Sequence, residues 1–216
     1  MKIDGIIFDL DGTLWDSCRV VSESWGITLR RDYGAEHWPS PEDVSGIMGK
    51  TAQQIAELLF SQYGERALDI AVQCMLEENA YIASHSGYLY PGVGEMFAKL
   101  SEKYPLYIVS NCLDGYIQCF LTVTGFGKYI KDFECQGATG LSKAENIRLV
   151  CERNNIKAPL YLGDTEGDEN SARAAGCSFV HAAYGFGGAV APDAVAKTPG
   201  EFVKIIERIE EENIHA

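Results

Sequence analysis

The segment Phe8-Asp9-Leu10-Asp11-Gly12-Thr13 follows directly on a mostly apolar run, Ile3 to Ile7. Side chains alternate along a strand, so two carboxylates two residues apart at the end of a buried strand fall on one side. Their charges then repel as water is withdrawn. Gly12 releases the backbone into a turn, and Thr13 sets a hydroxyl beside the freed N–H groups. A magnesium ion would relieve the repulsion, because it is a hard cation that takes carboxylate and carbonyl oxygens. The plainer alternative is a strand-end turn with capping aspartates, since Asp-Gly is a common turn pair.

Four segments read as buried parallel strands, each a short apolar run with a small or polar ending: Ile3–Phe8, Leu106–Ser110, Leu160–Gly163 and Ser178–Ala182. Asp132–Cys135 is a weaker fifth. Helical patterns alternate with them over Val93–Lys103, Tyr116–Thr124, Ser142–Asn154, Gly167–Ala175 and Glu201–Glu212. This alternation predicts an α/β, doubly wound, Rossmann-like parallel sheet built from right-handed crossovers. The stretch from Trp15 to Tyr90 has no strand pattern but has helical ones near Cys18–Tyr33, Thr51–Tyr63 and Arg66–His85. It is too long for a simple connection. It reads as an inserted helical cap, residues 15–90, on a core made of residues 1–14 and 91–216. The acidic tail Glu207–Asn213 reads as the solvated face of a last helix.

Ligands of an open parallel sheet bind beyond the carboxyl ends of its strands. At that edge Asp9 and Asp11 are joined by Ser110-Asn111, by Asp164-Thr165 with Asp168 one turn on, and by Lys143 behind Gly140-Leu141-Ser142. Taken singly, Ser110 is a strand-end hydroxyl, Lys143 a solvated lysine and Asp164 an N-cap. Together they form an acidic, phosphate-compatible edge with one cation.

The formal charge of −13 over 216 residues argues against nucleic acid, which is bound by Lys/Arg clusters. The seven cysteines are odd in number and never spaced C-x-x-C, which argues against a disulfide framework or zinc site and fits a reducing cytosol. No cleavage-site pattern and no membrane-length apolar stretch are present, so the expectation is a cytoplasmic protein, a monomer or weak homodimer, without membrane or nucleic-acid partners.

These motifs resemble those of the haloacid dehalogenase superfamily, in its phosphoglycolate-phosphatase-like branch with a C1 helical cap. The resemblance runs through Asp9-Leu10-Asp11-Gly12-Thr13, Ser110-Asn111, Lys143 and Gly163-Asp164-Thr165-Glu166-Gly167-Asp168, and continues in Asn170-Ser171-Ala172-Arg173-Ala174-Ala175-Gly176. Ser142-Lys143-Ala144-Glu145 departs from the commoner Ser-Lys-Pro. The resemblance implies a magnesium-dependent phosphatase acting on a small phosphorylated metabolite. It makes Asp9 the nucleophile and Asp11 the general acid/base. Mg2+ would be held by the Asp9 carboxylate, the Asp11 carbonyl and the Asp164 carboxylate, with Asp168 orienting its waters. Gly12, Ser110, Asn111 and Lys143 would bind the phosphoryl oxygens. Trp15, Ser17 and the cap residue Lys50 are candidates for contacting the leaving group.

Four alternatives follow. A dehalogenase proper needs neither Asp11 nor Asp164. A sugar-phosphate mutase similar to β-phosphoglucomutase would carry a histidine and a cap-loop arginine, where this chain has Val21 and Ala52. A phosphonatase needs a Schiff-base lysine in the cap, and Lys50 is the sole lysine between Trp15 and Tyr90. A non-catalytic phosphate-binding regulator could share the fold.

Overall fold

A computed structural model describes residues 2–214. In chain order the elements are β1 (Gly5–Phe8), β2 (Trp15–Asp16), α1 (Cys18–Tyr33), α2 (Pro41–Ser45), α3 (Ala52–Leu59), α4 (Ala67–Ile82), β3 (Tyr88–Leu89), α5 (Val93–Ser101), β4 (Leu106–Ser110) and α6 (Tyr116–Thr124). There follow β5 (Ile130–Cys135), α7 (Gln136–Thr139), α8 (Lys143–Asn154), β6 (Pro159–Gly163), α9 (Glu166–Ala174), β7 (Ser178–Ala182), β8 (Ala194–Ala196) and α10 (Pro199–Ile214). Six strands form a parallel sheet in the order β5-β4-β1-β6-β7-β8.

Period-two alternation sorts the strand residues to two apolar layers. Ile6, Phe8, Leu106, Ile108, Leu160 and Leu162 join Phe97 of α5 and Phe202 of α10 on one face. Ile7, Tyr107, Val109, Tyr161 and Phe179 join Ile147 and Val150 of α8 and Ala172 of α9 on the other. The strands are apolar on both faces because helices cover both. The order reverses at β1, which lies between β4 and β6, so the crevice for a ligand opens beyond Phe8.

Helices α1 to α4 lie between β1 and α5 and pack on one another, with the Trp25 and Phe60 rings 5.6 Å apart. Helix α1 spans the expected Cys18–Tyr33. Thr51–Tyr63 is instead the short α3 followed by a 3-10 turn, Ser61–Arg66, broken where Gly64 takes φ +60°. Helix α2 was not expected, although Ser40 caps it reciprocally with Asp43 and Pro41 stands at its first position. The stretch also holds a two-strand antiparallel pair, Trp15 opposite Leu89 and Asp16 opposite Tyr88, where the sequence suggested no strand. The pair clasps the two chain segments that lead into and out of the helices. Among the described residues no helix is long and apolar enough to cross a membrane. The acidic tail is only partly solvated: Glu207 pairs with Lys99 at 2.6 Å and Glu210 with Lys103 at 2.8 Å, fastening α10 to α5 and the turn after it.

Candidate active site

Asp9 leaves the central strand with its N–H bonded to Leu162 O at 2.9 Å, and its side chain is buried. Lys143 reaches it from the first turn of α8, donating from Nζ to Asp9 Oδ1 at 2.5 Å and also to Asp168 Oδ1. The helix start that aims this lysine is fixed by Ser142 and Glu145, which cap each other's backbone N–H groups. Glu145, at the departure from Ser-Lys-Pro, thus performs a capping role. Asp168 Oδ2 accepts from the Thr165 N–H at 3.0 Å and hydroxyl at 2.7 Å, so both of its oxygens are engaged.

Asp164 ends β6. Its Oδ2 accepts the Phe186 N–H at 2.8 Å, and Thr13 Oγ1 lies 3.5 Å from Oδ1. The approach depends on two glycines. A Cβ on Gly12, whose φ is +81°, would lie 2.2 Å from Asp164 Oδ2, and one on Gly185 would lie 2.3 Å from the Gly12 carbonyl oxygen. Gly185 and Phe186 were missed in the sequence reading, though the glycine-rich run Gly185-Phe186-Gly187-Gly188 after β7 was visible there.

One oxygen each from Asp9, Asp164 and Asp168 lies within 4.8 Å of the others, and all three residues are buried. Burial pushes the Asp9 carboxyl well above its usual range, Asp168 and Asp164 push the same way, and Lys143 opposes them. Asp164 is pushed up to about 7, first by burial and then by Asp168. Burial disfavours the Lys143 ammonium, but Asp168 and Asp9 outweigh it and hold the group charged. Three carboxylates face one ammonium, and all the available donors are hard oxygens. Residues of this kind fit a divalent magnesium-type ion.

The repulsion expected between Asp9 and Asp11 is therefore between Asp9 and the Asp164/Asp168 pair. The reason is local: β1 ends at Phe8 and the backbone turns at once, with Leu14 N bonded to Leu10 O at 2.8 Å. Strand alternation does not extend to Asp11. Its Oδ1 instead accepts from Trp15 Nε1 at 2.9 Å, Ser17 Oγ at 2.7 Å and Tyr116 OH at 2.9 Å. Three donors on one oxygen leave Oδ2 as the place for a proton. Burial raises the Asp11 carboxyl, and the three donors moderate it.

Trp15 and Ser17, expected to touch a leaving group, are fully buried and turned to Asp11. Tyr116 was missed as a site residue, because a tyrosine opening a helix in sequence carries no sign of what it faces. Ser110 and Asn111 end β4 beside Asp11 and border a small cavity, and Lys50 borders it from the loop before α3. The Asn111 side chain donates to Gly49 O at 2.8 Å, tying the sheet edge to that loop.

Residues 6–182 match the haloacid dehalogenase-like hydrolase family. The phosphoglycolate phosphatase of Vibrio parahaemolyticus is 26% identical over 93% of this chain and 95% of its own length. That of Aquifex aeolicus is 25% identical over 94% and 96%. A haloacid dehalogenase-like family protein of Streptococcus pneumoniae has the same fold, with a TM-score of 0.79 at 24% identity over 94% of this chain and 98% of that one. On the family match, which runs from β1 to β7 and takes in the helices between β1 and α5, this chain belongs to the haloacid dehalogenase-like hydrolases.

Proposed function

We propose that the protein is a magnesium-dependent phosphatase that hydrolyses a small phosphorylated metabolite through an aspartyl-phosphate on Asp9. The observation that carries this reading is the buried Asp9–Lys143–Asp168 arrangement beside Asp164 at the reversal point of the sheet. The relatives named phosphoglycolate phosphatase support it.

Mg2+ would be held by the Asp9 and Asp164 carboxylates and the Asp11 carbonyl, with Asp168 behind them, and would supply charge neutralisation for the phosphoryl group. Lys143 opposes the rise that burial imposes on the Asp9 carboxyl and orients it as the nucleophile. As Asp9 attacks phosphorus and the bond to the alcohol oxygen breaks, Asp11 delivers its Oδ2 proton to that oxygen. Asp11 then accepts a proton from the water that attacks the phosphoaspartate, and Asp9 is released with inorganic phosphate. Backbone N–H groups at Gly12 and Asn111, with the Ser110 hydroxyl, would hold the phosphoryl oxygens.

In this reading residues 15–90 are a cap over a core of 1–14 and 91–216, and the β2/β3 pair is its hinge. The cavity between them is about 40 Å³, room for a few waters and not for an ester, which supports a cap that swings out to admit substrate. Buried Val21 and Ala52, in place of the mutase histidine and arginine, favour hydrolysis over phosphoryl transfer within a sugar. The seven free cysteines fit a cytoplasmic enzyme. Release of nitrophenol from an aryl phosphate with magnesium, lost in excess chelator, is the expected result; equal turnover in chelator refutes the metal role.

A further inference from the structure

Helix α4 turns Ile70, Ala71, Cys74, Met75, Glu78 and Ile82 inward. The spacing is that of a helix packing stripe, and one of its members is a carboxylic acid. Glu78 is only 6% exposed. Its neighbour Glu77 turns outward to Arg31 at 2.7 Å, so the inward acid is not a surface residue caught at a boundary. Burial of a carboxyl at a stripe position is costly unless it is paired. Glu78 has a single partner: Oε2 accepts from Trp25 Nε1 at 2.5 Å. Among the described residues no donor reaches Oε1, and Glu78 borders the cavity that Asp11, Ser110, Asn111 and Lys50 also line. Burial keeps the carboxyl well above its usual range, with the Trp25 bond opposing.

From this geometry we infer that Glu78 is the specificity residue for the leaving group: it accepts a hydroxyl of a polyol or sugar phosphate and rejects esters bearing a carboxylate. The inference rests on the phosphatase reading above. The rest of the wall agrees with it. Val21, Ile47, Met48, Ile55 and Met75 offer apolar contact, and Lys50 is the single cation of the cavity lining. A second carboxylate on the substrate would lose its water among these apolar side chains with only that lysine to offset it. A neutral hydroxylated chain donates to Glu78 Oε1 and leaves no charge uncompensated.

The test compares kcat/KM with magnesium for glycerol 3-phosphate, phosphoglycolate and 4-nitrophenyl phosphate. The wild type should favour glycerol 3-phosphate over phosphoglycolate by roughly tenfold or more, a measurement that does not depend on any variant folding. Glu78→Gln keeps an acceptor for Trp25 and turns an amide donor to the cavity. It should lower the ratio of the two natural-type esters by roughly 10–100-fold while changing 4-nitrophenyl phosphate by less than about threefold. Glu78→Leu should abolish the discrimination with the fold intact by circular dichroism. Binding of the two esters to the Asp9→Asn protein by calorimetry should show the same preference without turnover. A wild-type preference for phosphoglycolate, or an unchanged ratio in a folded Glu78→Gln protein, overturns the inference while leaving the phosphatase reading standing. Absence of 4-nitrophenyl phosphate turnover in the wild type overturns the phosphatase reading itself, and the inference with it.

Discussion

The cleft has two walls that bury acid in opposite ways. On the sheet side, Asp9, Asp164 and Asp168 are each held by named donors: Lys143, the Phe186 N–H, and the Thr165 N–H and hydroxyl. On the helical side, Glu78 has one donor and an otherwise apolar setting. The first wall is preorganised for a fixed chemical group, since every side chain is locked before any ligand arrives. The second offers surface and one unmet acceptor, which suits recognition of whatever carries that group. Substitutions on the first wall should therefore remove chemistry, and those on the second should redistribute it among substrates.

The largest effect is expected at Asp9. Asp9→Asn keeps the shape and the bond from Lys143 but removes the proposed nucleophile, so turnover should fall by roughly 10⁴-fold or more for every ester. The same change removes a carboxylate that burial and two neighbouring acids disfavour, so the metal-free variant should melt no lower than the wild type. Near-wild-type hydrolysis of an aryl phosphate would break the assignment of the sheet side as the chemical wall.

Next comes the metal. Asp164→Ala should raise the magnesium needed for half-maximal activity more than Asp168→Ala does, the latter changing affinity or activity by about 10–100-fold. The reverse order would exchange their roles. The pH dependence has a definite sign. Asp164 has its carboxyl raised to about 7, so in the metal-free protein it binds a proton that the unfolded chain has already lost. That contribution to stability is full below the unfolded value near 3.8 and disappears as pH rises to about 7. The metal-free melting temperature should fall between pH 5 and pH 7, at roughly 2–4 °C per kcal/mol lost, and magnesium should restore it. A metal-free melting temperature that climbs over this range would contradict the crowding of carboxylates on the sheet side.

How much of this was readable beforehand divides along the same line. The strands, the crossovers and the residues Asp9, Asp164 and Asp168 follow from apolar runs with polar endings, because the sheet itself brings its strand ends together, and Lys143 follows from the turn that opens the next helix. What could not be read needed contacts across the chain. Tyr116 meets Asp11 over 105 residues, Phe186 meets Asp164 over 22, and Glu78 meets Trp25 over 53. Glu78 was nonetheless detectable in part, as an acid four residues after Cys74 on an apolar stripe. Trp15 and Ser17 were singled out as contacts for the leaving group; in the structure they close on Asp11 because the turn after β1 brings them back to it. The three-residue β8 and the two-residue strands of the β2/β3 pair escape periodicity altogether, since so short a run has no period to show.

Tyr116 tests the boundary between the walls. It stands on α6 and supplies one of the three donors to Asp11 Oδ1. Tyr116→Phe should reduce kcat by roughly tenfold, one hydrogen bond to a charged group being worth about 1.5–3 kcal/mol at most. The direction of the pH change is fixed by what the hydroxyl does now: its donation lowers the Asp11 carboxyl against burial. Without it the carboxyl rises further and keeps its proton to higher pH. The basic limb of the kcat/KM profile should therefore move upward, for all substrates alike. A limb that moves down, or a loss confined to one ester, would place Tyr116 with the recognition wall.

The smallest effect, and the finest cut between the walls, is expected at Lys50. It stands between Gly49, whose φ is +77°, and Thr51, which caps α3, and Asn111 bonds the Gly49 carbonyl directly before it. The loop is thus held at the sheet edge while the lysine side chain borders the cavity, without an ion pair among the described residues. An unpaired ammonium at partial exposure contributes little until a substrate fills the space beside it. Lys50→Ala should lower kcat/KM for the preferred natural ester by about 3–10-fold and leave an aryl phosphate within twofold, since only the former extends to the helical side. Equal losses for both would make Lys50 part of the phosphate wall. If borohydride trapped a phosphonate aldehyde on Lys50, the lysine would be acting by covalent chemistry, and the helical wall would no longer be one of recognition alone.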